Sequence, residues 1–179
     1  MSQIASTYAQ ALYDLAKEEN LTQQILQQLT VLKDSFADEP DFLRLMTAAS
    51  LSKEERCRIL DDSFRGKAEP YVLNFMKILT EKGYMRHFSD CADAYRDAYN
   101  RDHGIVPVKA VTAVPMTEDQ KTRLREKLGS LTGKTIDLQC HIDPAVLGGV
   151  RLDYDGKRVD GTVQNRLDTV SKLLKNTVL

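Results

Sequence analysis

From Ile4 onward, apolar residues recur at helical spacing in two adjacent stripes. Ile4, Tyr8, Ala11 and Leu15 form one, and Ala5, Ala9, Leu12 and Ala16 the other. The opening segment is therefore expected to be a helix with more apolar surface than one core contact uses. Ile25, Leu29, Leu32 and Phe36 mark a second helix, which ends near Asp38 because the residue before Pro40 disfavours helical backbone. Phe42 to Met46 is a short apolar segment. Ser52-Lys53-Glu54-Glu55 then reads as a capping box, opening a helix with Ile59, Leu60 and Phe64 that Gly66 closes. Pro70 suits the first turn of the next helix, where Val72, Leu73, Phe75, Met76, Ile78 and Leu79 are apolar nearly all round until Gly83 stops it. That helix is expected to be central. A last helix places Phe88, Cys91, Ala92, Tyr95 and Tyr99 on one face. Such a run of helices on short connections is the pattern of a bundle. The first helix and the all-apolar helix fit two readings, plain core or a groove for a partner's amphipathic helix.

Near His103-Gly104 the period changes to two. Val106, Val108, Ala110, Thr112 and Val114 share one face of a strand. Thr117-Glu118-Asp119-Gln120 is a second capping box, before a helix with Leu124, Leu128 and Leu131. A second strand is expected to turn Ile136, Leu138, Cys140 and Ile142 inward and Asp137, Gln139 and His141 outward. Asp143, Pro144, Leu147, Gly148 and Gly149 make a turn-rich connection to Val150, Leu152 and Tyr154, and Asp155-Gly156 signals a hairpin whose return arm holds Val159. Past Asp160-Gly161-Thr162 the spacing of Val163, Leu167, Val170 and Leu174 is helical again. Asp160 or Thr162 is a candidate cap, and Gly161 a candidate left-handed residue. The fold class is α+β: a six-helix bundle over residues 1–103, followed by a small α+β domain over 104–179.

The 179 residues carry a net charge of -1, unevenly spread: Met1 to Asp102 holds 13 Lys and Arg against 17 Asp and Glu, and the remainder 12 against 9. Two halves of opposite sign suit different partners. Cys57, Cys91 and Cys140 stand far apart with no metal-ligand spacing, which fits idle thiols in a reducing, cytosol-like space. No apolar run reaches the roughly 20 residues that a membrane helix needs, and Asp14, Glu18 and Glu19 argue against a transit peptide.

Catalytic motifs fail on inspection. Gly129 to Thr135 ends like a phosphate-binding loop, but three residues instead of four separate its glycines, and a helix ends there where one should begin. Leu147-Gly148-Gly149-Val150 lacks dinucleotide spacing, and His87, His103 and His141 are isolated from any nucleophile motif. An RNA-binding module of α+β order would offer several aromatic residues on its strands, whereas these strands show only Tyr154. A protein-binding role leads, with a free-standing RNA-binding or regulatory adaptor as the alternative.

Four segments in order, Tyr8 to Ala16, Val111 to Gln120, Asp143 to Leu152 and Val159 to Leu167, resemble the delta subunit family of the F-type ATP synthase, relatives of the mitochondrial oligomycin-sensitivity-conferring protein. Lys82 and Tyr84 depart from the Asn and Arg common in the family, and Thr162 replaces the more usual Ser. The resemblance implies a non-catalytic peripheral-stalk subunit that joins the catalytic head to the b stalk subunits, so that the head does not turn with the rotor. It implies one copy in a hetero-oligomer at the cytoplasmic face of a bacterial membrane, with no direct insertion, cofactor, metal or nucleic acid. The N-terminal helix of an alpha subunit is expected against Tyr8, Ala11, Leu15, Phe75, Ile78 and Leu79, and the C-terminal ends of the b subunits against the second domain. The turns at Asp143, Pro144, Leu147, Gly148, Gly149, Asp155, Gly156, Asp160, Gly161 and Thr162 would be architecture, folding a compact connector.

Overall fold

The computed structural model describes residues 3–161 apart from Ala49, Leu147 and Asp155. Among the described residues there are seven α-helices and four strands. They are α1 (Gln3–Glu18), α2 (Thr22–Asp38), α3 (Pro40–Thr47), α4 (Lys53–Phe64), α5 (Pro70–Glu81), α6 (Phe88–Asp102), β1 (Ile105–Thr112), α7 (Glu118–Thr132), β2 (Thr135–Ile142), β3 (Val150–Tyr154) and β4 (Lys157–Asp160), with a single 3-10 turn at Met85–His87. The class is α+β. The chain divides into two compact units, Met1–Tyr99 and Asn100–Leu179. The change of period at residue 103 coincides with the end of α6 at Asp102 and lies a few residues after the boundary between the units.

Helix ends in the first unit follow local chemistry. Ser52 Oγ accepts the Glu55 N–H at 3.2 Å, and the Glu55 carboxylate accepts the Ser52 N–H at 2.8 Å, so the box that opens α4 satisfies two amides left without helical partners. Pro40 and Pro70 sit at the starts of α3 and α5, where a missing N–H costs no helical bond.

The core of this unit draws on all six of its helices. Ala5, Ala9 and Ala16 of α1 are buried with Leu12 and Tyr13, and small side chains let the helix approach its neighbours closely. Phe36 stacks on Phe42 at 5.0 Å and meets Phe88 edge-on at 5.0 Å, tying α2 to α3 and α6. Tyr95 lies edge-on to Tyr13 at 5.3 Å, and its hydroxyl donates to the Thr22 carbonyl at 3.1 Å. At the margin, Lys77 bridges α5 to Asp61 of α4 at 2.6 Å, and Lys33 bridges α2 to Asp93 of α6 at 2.5 Å. These pairs are partly solvated and fix register more than they stabilise.

The second unit is a four-stranded sheet in the order β2-β1-β3-β4. β1 and β2 are parallel and joined through α7, while β1–β3 and β3–β4 are antiparallel. Val108, Ala110, Ile136 and Leu152 form the core, with Leu124 and Leu128 of α7 packed against it. Thr117 and Gln120 close the second capping box, at 3.3 and 2.9 Å. Gly133 ends α7 in the left-handed region at φ 67°, its N–H reaching the Gly129 carbonyl, a conformation that side-chain-bearing residues adopt at a cost.

Several expectations need correction. The alternation expected of β2 fades along the strand: Ile136 is buried and Leu138 half-buried, but Cys140 is exposed and Ile142 is 57% exposed, because β2 is an edge strand. Val114 lies beyond the end of β1 and is 67% exposed, and Leu131 of α7 is 75% exposed. Gly161 is not among the left-handed glycines. Its constraint is closeness: its N–H donates to the Val150 carbonyl at 3.1 Å, and an added Cβ would lie 3.1 Å from that same oxygen. Asp160 ends β4, opposite Arg151. Leu147, Asp155, Thr162 and the helix expected after Gly161 lie outside the described residues.

The backbone bond from Ser52 is the main reason that the Glu55 carboxyl is held below its ordinary pKa. A carboxyl depressed in the folded state stabilises the fold above its unfolded value, about pH 4.3, and that contribution is lost as pH falls through the folded value. Glu55→Gln keeps a side-chain acceptor but removes the ionisation. Urea denaturation at pH 7 and at pH 3.5 should show the variant losing less stability between the two than the parent chain does.

Candidate partner-binding site

The two stripes of α1 have different fates. The alanine-rich stripe is buried, whereas in the other Ile4 and Tyr8 are half-buried, Ala11 is exposed and Leu15 is 37% exposed. α5 is linked to α1 near both of its ends. Tyr71, at the start of α5, lies near Glu19 at the end of α1, and the Glu19 charge, then burial, holds the phenol above its ordinary pKa. At the other end Tyr84, just after α5, packs edge-on against Tyr8 at 5.9 Å. Two links at opposite ends make α1 and α5 antiparallel neighbours. Along their own helices between the linked residues, Ala11 and Leu15 of α1 and Ile78 of α5 are exposed, Ile78 by 36%.

The six residues expected to face a partner separate on inspection. Tyr8, Ala11, Leu15 and Ile78 are wholly or partly accessible; Phe75 and Leu79 are 5% and 0% exposed and belong to the core. On a helix apolar nearly all round, inward and outward apolar positions look alike until neighbouring helices are placed. Phe75 and Leu79 thus hold α5 in position beneath the accessible strip. Tyr84, which meets Tyr8, lies outside both helices, and its only signal in the sequence was its departure from the usual family residue.

In the second unit, the segment after β2 is a built turn. Asp143 N–H donates to the Thr112 carbonyl at 2.9 Å, the Asp143 carboxylate accepts the Ala145 N–H at 3.0 Å, and Val146 is buried. Pro144 stands within this turn, and Gly148, Gly149 and Gly156 have positive φ. On the outer sheet face Asp153 accepts from Arg158 at 2.7 Å and faces Lys109 of β1 in register; the Arg158 bond is the main reason that its carboxyl is held low. An open cleft of about 490 Å³ lies here beside Lys109, Gln139, Asp153, Tyr154 and Arg158. A second cleft, of about 440 Å³ and mainly apolar, lies in the first unit beside Val31, Leu32 and Phe64.

The Cys91 thiol is pushed up to about 12 by burial and by Asp90, which leaves it protonated and unreactive. Among the described residues no cluster of His, Cys, Asp or Glu could hold a metal ion. No described helix is long and apolar enough to cross a membrane.

The model of the ATP synthase delta (OSCP) subunit family matches residues 4–174. The chain belongs to that family. It is therefore a subunit of the peripheral stalk of an ATP synthase, and the stator reading prevails over the RNA-binding or regulatory alternative. It is 31% identical over 176 residues to ATP synthase subunit delta of Alkaliphilus oremlandii, covering 98% of each chain. It is 30% identical to that of Lacticaseibacillus casei, covering 96% of this chain and 94% of the other. A chain of the Toxoplasma gondii mitochondrial ATP synthase hexamer has the same fold, with a TM-score of 0.75 over 97% of this chain and 98% of that one at 20% identity.

Core and accessible positions of α5 should differ sharply on truncation. Phe75→Ala should cost about 3–5 kcal/mol through the cavity it leaves. Ile78→Ala should cost about 1 kcal/mol or less, since its side chain is already a third in solvent. Urea denaturation of both variants checks the assignment; equal costs would place Ile78 in the core.

Proposed function

We propose that the first unit, taken as a six-helix bundle, holds the N-terminal helix of a catalytic-head alpha subunit in the strip between α1 and α5. The second, a small α+β domain, holds the C-terminal ends of the b stalk subunits. The division between the two roles falls at the expected boundary of residues 103 and 104. One copy serves each complex as a peripheral protein on the cytoplasmic face of a bacterial membrane. It inserts no segment of its own, binds no nucleic acid, cofactor or metal, and contributes no group to the reaction.

The observation that carries this reading is the unsatisfied stripe of α1. α1 leaves Ala11 and Leu15 exposed, α5 leaves Ile78 exposed, and Tyr8 meets Tyr84 near one end of both helices, which supports a narrow apolar track along them. An amphipathic helix laid along it would cover apolar residues that the fold leaves wet, at roughly 25 cal/mol for each Å² removed from water. Ala11 is the natural floor, because a small side chain admits a partner backbone. Binding by area suits a joint that must transmit torque, because load spreads over many contacts.

Ala11→Trp would fill the track without entering the core. Calorimetry with a peptide of the alpha subunit's N-terminal helix should show binding to the parent chain and at least a tenfold loss in Ala11→Trp, about 1.4 kcal/mol. Unchanged affinity would refute this placement. Hydrolysis by the isolated catalytic head should persist without the chain, and an assembled complex carrying Asp160→Ala should retain turnover; a strict requirement in either assay would overturn the non-catalytic role.

A further inference from the structure

Among the described residues β2 is an edge of the sheet, with β1 on one side of it and no strand on the other. The direction of its backbone groups can be read. The Thr135 N–H donates to the Gly104 carbonyl and the Asp143 N–H to the Thr112 carbonyl, so the odd-numbered residues of β2 turn their amides and carbonyls toward β1. Ile136, Leu138, Cys140 and Ile142 therefore direct theirs outward. Cys140 and Ile142 are exposed on one sheet face and Asp137, Gln139 and His141 on the other, so both sides of this edge are open. The described chain ends at Gly161 against Val150 of β3, on the far side of β1 from this edge.

Sheet edges are commonly guarded by Lys, Pro or a bulge. β4, the opposite edge, is short and carries Lys157 and Arg158, whereas β2 pairs one-to-one with β1 along its length and holds no Lys, Arg or Pro. An antiparallel copy of β2 centred on Gln139 fits this unguarded edge. It sets Ile136 against Ile142, Leu138 against Cys140 and Asp137 against His141, with like faces together and Gln139 on the two-fold axis. The outward-directed residues then form the hydrogen-bonded pairs, and Asp137 meets His141 at a non-hydrogen-bonded pair, where side chains lie closer. Asp137 accepts from Gln139 at 3.4 Å, a long bond that leaves the carboxylate room for a second donor. An imidazole N–H supplies one in either protonation state. A shift of two residues one way sets Asp137 against Gln139, and the other way against Asp143, so only the central register keeps the pair.

We propose that the outer edge of β2 is a docking surface for a second copy of this chain, whose own β2 adds to it as an antiparallel strand centred on Gln139. Main-chain pairing supplies the affinity, and the two Asp137–His141 pairs set the register. This goes beyond the stalk reading, in which one copy serves each complex, and concerns the subunit outside it. One strand pairing is a small interface, so the dimer is weak and depends on concentration.

Sedimentation of the full-length chain between about 1 µM and about 1 mM should show a monomer passing to a dimer. Cys140→Pro removes an N–H that β1 does not use, and should abolish the dimer while circular dichroism shows the sheet intact. Asp137→Lys should weaken the dimer several-fold, and Asp137→Lys combined with His141→Glu should restore it, because the exchanged pair remains attractive. In a Cys57→Ser, Cys140→Ser background, Gln139→Cys should cross-link on mild oxidation, since its Cα atoms would lie about 4.5 Å apart across the axis. Asp137→Cys, roughly 13 Å from its mate, should not. A chain that stays monomeric throughout, or a dimer unchanged in folded Cys140→Pro, overturns the proposal. A dimer indifferent to both charge variants overturns it whether or not Cys140→Pro folds, and so does cross-linking by Asp137→Cys in place of Gln139→Cys. If Gln139→Cys instead couples to a different subunit within the assembled ATP synthase, the edge belongs to that subunit and not to a second copy.

Discussion

Much of the first unit depends on an asymmetry within α1: the helix is apolar along two stripes, and only the alanine-rich one is fully buried within the chain. Ala5, Ala9 and Ala16 contribute little burial each, but they let α1 lie close to the larger side chains around it. The same close seating sets α1 beside α5, fastened near Glu19 and Tyr71 at one end and at Tyr8 and Tyr84 at the other. The second stripe must then remain at the surface. An accessible apolar strip of this kind needs no special residue, because it follows from placing more apolar positions on one helix than the bundle can enclose.

The sheet unit divides its chemistry between two faces. Val108, Ala110, Ile136 and Leu152 form the core with α7, and the outer face, apart from the buried Val111, is polar, with Lys109, Asp153 and Arg158 aligned across β1, β3 and β4. Asp153 is bonded to Arg158 and lies 3.8 Å from Arg151, whose buried Nε has no hydrogen-bond partner among the described residues. The two faces of one sheet therefore differ in chemistry, although their residues alternate along the same strands.

Periodicity and end signals revealed most of the elements, since they act over a few neighbouring residues. Both capping boxes form as written, and Pro40, Pro70 and Gly133 stand at helix ends for the backbone reasons that make them readable. What stayed hidden depends on distant neighbours. Nothing local separates Phe75 and Leu79, which face the core, from Ile78, which does not. Nor does alternation in β2 reveal that it is an edge strand, leaving Cys140 and Ile142 uncovered. Gly161 was readable as a special position but not for its reason: close approach to the Val150 carbonyl comes from strand pairing across the hairpin, not from its own backbone angle.

Ring packing bears on how the first unit can act as a mechanical joint. Phe36 meets Phe42, Phe64 and Phe88, so one side chain of α2 contacts rings on α3 and α6 and at the end of α4. Close-packed interiors resist compression, and rings held at fixed angles on several helices oppose sliding of any one of them. The ion pairs Lys33–Asp93 and Lys77–Asp61 add register at the rim, where salt screens them, so the packed core and not the charges must carry sustained load. A partner helix seated on α1 and α5 would be backed by Leu12, Phe75 and Leu79 of this same core. Force entering through such a partner would then pass into packed side chains rather than a flexible loop, a property that suits a stator subunit.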